Sequence, residues 1–221
     1  MTENGKPADA PHRNFYGRRA GKGLKKSQKI HMDTTLSRFA VDLDAPVTDE
    51  PTWLEIGFGG GEHILHMAET YPDVTLIGCE AFVNGVAKLV SRIGEQDIEN
   101  IRVHCGDARD LLEKLPDACL EKVFLLYPDP WPKTRHHRRR FANAENFDQI
   151  SRAMKLGAEL RIATDIDDYV HHTLEVLTPR DDFERLGLDQ RAPWSDWTQT
   201  RYEAKAYREG RLPNYLTFRR V

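Results

Sequence analysis

The residues best placed to do chemistry lie between Phe124 and Phe141. Asp129 stands inside Pro128-Asp129-Pro130-Trp131-Pro132. Prolines fix φ and remove backbone donors, so this segment cannot continue a strand or open a long helix. It reads as a stiff loop that holds a carboxylate with little freedom to lose. Trp131 beside it offers a flat face. A basic run follows: Lys133, Arg135, His136, His137, Arg138, Arg139 and Arg140. A rigid carboxylate, an aromatic and a cationic strip suit a polyanion that presents a base. By itself the basic run serves equally well as a solvated face.

A second set of candidates surrounds a glycine-rich stretch. Glu55-Ile56-Gly57-Phe58-Gly59-Gly60-Gly61 follows an apolar run and opens a helical pattern. Glycines at a strand exit let backbone approach a ligand closely. Glu62 occupies the sixth position, where the dinucleotide pattern places its third glycine, and its charge would repel a phosphate. Glu80 ends the next apolar run and can accept from both hydroxyls of a ribose. Asp107, in Gly106-Asp107-Ala108, follows the third run and can accept from an exocyclic adenine amine. Glu55 lies near the glycines, where a carboxylate can meet an ammonium group. Each acid alone is an ordinary strand-end charge. At three consecutive strand ends beside a glycine loop, they fit S-adenosylmethionine, which carries ribose, adenine and a zwitterionic amino acid.

Alternating elements must position these groups. Strands are predicted at Thr52–Phe58, Asp73–Cys79, Ile101–His104, Val123–Leu126 and Glu159–Ala163. Helices are predicted at Glu62–Tyr71, Val83–Ile93, Ala144–Leu156 and Tyr169–Leu177. A helix and two late strands should occupy the remainder, with Trp194, Trp197 and the TRYEAKAYREGR segment. The alternation predicts an α/β fold, a mostly parallel sheet with helices on both faces.

Composition narrows the class further. The net charge of −3 hides an asymmetry: residues 1–30 hold eight Lys/Arg against two Asp/Glu, net +6, so the remainder carries −9. A basic arm on an acidic body suits a phosphate-rich partner. Phe15 and Tyr16 sit among Arg13, Arg18, Arg19 and Lys22, where aromatics can stack on bases while cations pair phosphates. Residues 1–30 therefore read as a flexible basic arm and 31–221 as a single domain. Three widely spaced cysteines argue against a disulfide framework and fit a reducing, cytoplasmic setting. No apolar run approaches the ~20 residues of a membrane span. No metal-ligand spacing is present; His63 and His66 read as helix residues.

GDAxxLL at 106–112, YPDPWPKxRHxxRR at 127–140, Ala163-Thr164-Asp165 and Thr200-Arg201-Tyr202-Glu203 give the chain a clear resemblance. From Arg13 onward it resembles the tRNA (guanine-N7-)-methyltransferase family. The resemblance implies a Rossmann-like class I methyltransferase fold with a seven-stranded sheet, S-adenosylmethionine as cofactor and tRNA as substrate. The implied target is the variable-loop guanine at position 46. It places Glu55, Gly57, Gly59, Glu80, Asp107, Ala108 and Asp129 at the cofactor, with Asp129 also catalytic. Lys133, Asp165, Thr200, Arg201, Tyr202 and Glu203 are its implied substrate contacts, and Arg135 to Arg140 its RNA-interacting run. Thr134 and Arg201 depart from the family pattern, where lysine is common. No metal or membrane is implied, and the assembly expected is a monomer or homodimer. The alternative is a non-catalytic RNA-binding module on the same scaffold.

Overall fold

In the computed structural model, residues 14–44, 50–187 and 190–221 are described. The first 13 residues of the expected arm, Arg13 among them, lie outside the described residues. Seven strands form one sheet: β1 (Thr52–Ile56), β2 (Thr75–Cys79), β3 (Ile101–His104), β4 (Leu120–Leu126), β5 (Met154–Thr164), β6 (Phe183–Leu186) and β7 (Asn214–Arg220). Their order is β3-β2-β1-β4-β5-β7-β6. All pairs from β3 to β5 are parallel, and β7 runs antiparallel to both its neighbours.

The two faces of the sheet bury different helices, as the period of two along each strand requires. Leu54, Ile56, Val123 and Leu125 face α4 (Ala108–Lys114), α5 (Ala144–Ala153) and α6 (Asp167–Leu177). Trp53, Phe124 and Leu126 face α1 (Lys26–Phe39), α2 (Glu62–Thr70) and α3 (Val83–Gln96). A last helix, α7 (Arg201–Arg208), precedes β7.

The strand order reverses between β1 and β4, whose Ile56 and Leu125 are in register. At such a switch point the loops leaving the two strands diverge and open a crevice. The glycine loop leaves β1 and the proline loop leaves β4, so both candidate sets meet at one place.

Beyond shifted strand ends (β1 closes at Ile56 rather than Phe58, and β4 and β5 begin at Leu120 and Met154 rather than Val123 and Glu159), three expectations need correction. The helix predicted to reach Leu156 stops at Ala153, because Met154 pairs with Leu120 and begins β5. Met154 is buried either way, so its apolar character could not separate the two states. Helix α4 was not expected; it is seven residues long, capped by Asp107 accepting from the Arg109 backbone N–H. The boundary expected at residue 30 falls inside α1, which packs against α3 and buries Phe39.

Candidate functional site

A cavity of about 470 Å³ opens at the switch point. That volume suits a nucleoside-sized ligand. The glycine loop forms its floor. Gly57 has φ +75°, and a Cβ built there meets nothing within 4 Å, so any side chain would project into the ligand space. At Gly85 a Cβ would lie 2.3 Å from the Gly59 carbonyl, so only glycine lets α3 close against this loop.

Glu80 lies at the end of β2. Its carboxylate accepts from the Gly59 N–H at 2.8 Å and the Phe82 N–H at 2.8 Å. Those bonds fix both oxygens while leaving further lone pairs for a ligand hydroxyl. Burial pushes this carboxyl up, against the backbone bonds that lower it, and Asp129 adds repulsion. Asp107 lines the same cavity and is clamped by Arg109, whose Nη2 lies 2.6 Å away and whose Nε donates at 3.0 Å. Ala108 opens α4 on the same wall.

Asp129 faces the cavity from the proline loop, and desolvation raises its carboxyl. The loop is bracketed by two non-glycine residues in the left-handed region, Tyr127 at φ 49° and Trp131 at φ 42°. Each such residue costs on the order of 1–3 kcal/mol, a strain that surrounding structure must sustain. The Tyr127 N–H donates to Ala163 O at 2.7 Å, and its ring stacks on Tyr202, 6.3 Å between centroids. The Tyr127 hydroxyl is buried beside Tyr215, and burial raises its pKa strongly.

Several sequence-predicted residues turn inward. Glu55 is 3% exposed and pairs with His63 Nδ1 at 2.7 Å; it lies outside the main cavity, in a small recess beside Thr200 and Tyr202. Thr200 caps α7 by accepting from the Glu203 N–H at 3.2 Å. The Glu203 carboxylate is buried, accepting from the Tyr215 hydroxyl and from Trp197 Nε1 at 2.9 Å. Asp165 accepts from Arg211 Nε at 2.6 Å and does not line the cavity. The other half of the TRYE segment does reach the site. Arg201 and Tyr202 fold over the glycine loop, so a Cβ at Gly60 would meet Arg201 Nη2 at 2.4 Å and one at Gly59 would meet Tyr202 Cε2 at 3.0 Å.

The basic run divides in the same way. It forms a 3₁₀ helix, Thr134–Arg139, with Lys133 at its N-cap. Lys133, Arg135 and Arg138 are exposed. His136 stacks edge-on to Trp131, and burial together with four neighbouring cations lowers its pKa. The Arg139 guanidinium lies over the Tyr16 ring at 4.6 Å and the Trp131 ring at 5.0 Å. Arg140 and His137 turn toward Asp168 on α6, and Arg140 is only 1% exposed. Of these three, Arg140 is buried, while His137 and Arg139 are half-buried and engage side chains of the protein itself.

The described part of the arm was expected to be loose and instead covers the cavity. The Asn14 carbonyl accepts from Arg109 Nη2 at 3.2 Å, the Arg19 carbonyl from the Val83 N–H at 2.9 Å, and the Gly21 N–H donates to Asn84 Oδ1 at 2.7 Å. Residues 14–18 line the cavity wall. The alternation of Phe15 and Tyr16 with arginines was the available signal; Tyr16 uses it on the protein's own Arg139.

Comparison with known proteins agrees with this geometry. A methyltransferase family model matches residues 49–214. The chain is 51% identical to the tRNA (guanine-N(7)-)-methyltransferase of Roseobacter denitrificans, over 94% of this chain and 96% of the relative. It is 52% identical to that of Paracoccus denitrificans, over 95% and 96%, and 45% identical to that of Rhizobium johnstonii, over 100% and 99%. Among solved structures, the antibiotic-resistance methyltransferase Kmr superposes with a TM-score of 0.56 at 16% identity, covering 77% of this chain and 87% of that one. An rRNA methylase from Streptococcus thermophilus gives 0.53 at 13% identity, over 81% and 92%. These structural likenesses show the class I methyltransferase fold. With the sequence relatives, they establish that the chain belongs to the tRNA (guanine-N7-)-methyltransferase family.

Proposed function

We propose that the protein transfers a methyl group from S-adenosylmethionine to guanine N7 in tRNA, at the variable-loop guanine, position 46. The observation that carries this reading is the meeting of Glu80, Asp107 and Asp129 in one 470 Å³ cavity, with the basic 3₁₀ helix at its rim. The cofactor supplies an electrophilic sulfonium methyl. Glu80 would hold the ribose hydroxyls, Asp107 and Ala108 the adenine, and Gly57 the space that the ligand fills.

Guanine N7 carries a lone pair and no proton, so no base has to remove one. Catalysis is then mainly positioning and electrostatics. As N7 is alkylated the guanine gains positive charge, which a nearby carboxylate stabilises. Asp129 suits this work better than Asp165, because it lines the cavity while Asp165 is held by Arg211. A carboxylate is acceptor-only, so it matches the N1–H and N2–H donors of guanine and mismatches adenine N1. Lys133, Arg135 and Arg138 add salt-sensitive affinity but no base choice. Tyr127 and Tyr202 offer stacked rings between the glycine and proline loops for an exposed base.

A non-catalytic RNA-binding module would have no use for a cavity lined by acids from three strand ends. No helix among the described residues is long and apolar enough to cross a membrane, and the three cysteines are free; a cytoplasmic setting fits both. The test is incubation with labelled S-adenosylmethionine and bulk tRNA, then nucleoside analysis and mapping of the modified position. Label in 7-methylguanosine at position 46 is expected. Cofactor binding without label in tRNA would refute the reading.

A further inference from the structure

We infer that Arg140 is a positioning residue for the Asp129 loop, acting with Asp168 as a clamp rather than as an RNA contact. The inference rests on the methyltransferase reading above and adds a residue pair to it.

The need for a clamp follows from the loop's own composition. Pro128, Pro130 and Pro132 have no N–H, so the segment around Asp129 is poor in donors that could fold it on itself. Among the described residues, backbone hydrogen bonds hold Tyr127 and His136 on either side, and none holds residues 128–132. The loop also carries two left-handed residues, Tyr127 and Trp131, which relax unless something outside the loop opposes them.

Arg140 supplies that restraint. Its side chain is completely buried. Nε donates to the Pro130 carbonyl at 2.9 Å, one peptide from Asp129. Nη1 donates to the Asp168 carbonyl at 3.3 Å and Nη2 to the Asp168 carboxylate. Nη2 also lies 3.0 Å from His137 Nε2. The guanidinium packs over the Tyr169 ring at 5.3 Å, and the Tyr169 hydroxyl accepts from the Ala142 N–H at 3.1 Å. The planar fork of an arginine thus spans two elements: the catalytic loop after β4 and the first turn of α6. Lysine, a single point of attachment, cannot hold both at once. Asp168 suits its place, since a carboxylate in the first turn of a helix is favoured by the helix dipole. The Arg140 bond holds its carboxyl below the usual range, so the pair stays charged across neutral pH.

An RNA contact and a clamp fail differently. Removing a phosphate pairing raises the KM for tRNA and reduces the magnitude of the log–log salt slope by roughly 0.7–0.9. Removing a clamp misplaces the carboxylate, and a misplacement near 1 Å costs up to about a hundredfold in rate. The test is steady-state tRNA methylation by Arg140→Gln, Asp168→Asn and the double variant, with tRNA binding measured from low to high salt. A kcat lower by about tenfold or more is expected. The KM for tRNA and the salt slope should stay at wild-type values, and the double variant should lose little more than either single one. Asp168 is exposed, so Asp168→Asn reads the clamp even if Arg140→Gln folds poorly. A raised KM with a flattened slope in Arg140→Gln and an unchanged kcat would overturn the clamp in favour of an RNA contact. Wild-type kinetics in Asp168→Asn would overturn it as well. If the wild-type protein itself left tRNA unmodified, the failure would belong to the methyltransferase reading instead.

Discussion

Asp129 carries the sharpest prediction at the scale of a single residue. Asparagine keeps its size and one acceptor oxygen but removes the charge and adds two donors. Those donors would face the donors of guanine. Asp129→Asn is therefore expected to lower kcat about 10²-fold or more, the range seen when one preorganised electrostatic interaction is removed. Binding of tRNA, spread over many phosphates, should hardly change. Single-turnover methylation with parallel tRNA binding measures both, and near-normal turnover would refute the role given to Asp129. Glu80 gives a second case. Glu80→Ala removes charge-assisted bonds worth roughly 1.5–3 kcal/mol to the ribose, which calorimetry with S-adenosylmethionine reads directly. The native carboxyl is raised by burial, so its proton returns at a higher pH than for an ordinary glutamate. Cofactor affinity should begin to fall correspondingly early as pH is lowered, and this fall should be absent in Glu80→Ala.

At the scale of elements, the five parallel strands were legible because each holds an apolar run with glycine, proline or an acid just beyond it, whereas β6 and β7 mix charged with apolar residues and were not placed. Ile101–His104 was placed to the residue. Helix α4 hid because seven residues barely span two turns, too few for a period to declare itself. Roles within the TRYE segment were illegible for a different reason. Thr200 and Glu203 are three apart, a capping-box spacing, and polar residues at that spacing serve either a ligand or the helix itself. The structure uses both side chains inside the protein. Their expected contribution is to the placement of Arg201 and Tyr202. Thr200→Ala should cost about 1 kcal/mol as a missing cap. Glu203→Ala should cost more, since it strands the buried Tyr215 hydroxyl and Trp197 N–H, roughly 1–3 kcal/mol for each unsatisfied group. Thermal unfolding orders the two, and a Glu203→Ala protein as stable as wild type would refute the buried role. Burial of Arg140 was equally hidden, because one arginine in a run of cations looks like the next. The only hint is that Phe141 and Ala142 follow it directly, so the chain is already turning into the core.

At the scale of the whole molecule, charge and cover act on the same cavity. The exposed cations of the 3₁₀ helix and its N-cap are Lys133, Arg135 and Arg138, while Arg139 is held between Tyr16 and Trp131. Replacing the three exposed residues with alanine should weaken tRNA binding and flatten its salt dependence by roughly 0.7–0.9 for each phosphate left unpaired. Cofactor affinity should be untouched. The arm predicts the opposite pairing. Its residues 14–18 form part of the cavity wall, tied by the Arg109–Asn14 bond and by Tyr16 on Arg139. A chain lacking residues 1–22 keeps α1, which begins at Lys26, but not that wall. One or two net hydrogen bonds, about 1 kcal/mol each, correspond to roughly tenfold weaker cofactor binding. Weaker tRNA binding is expected too, since the arm carries exposed Arg18 and Arg19. Calorimetry on the truncated chain decides the matter. Full cofactor affinity with impaired tRNA binding would make the arm an RNA contact alone. Impairment of both would make it the element through which substrate and cofactor sites are joined.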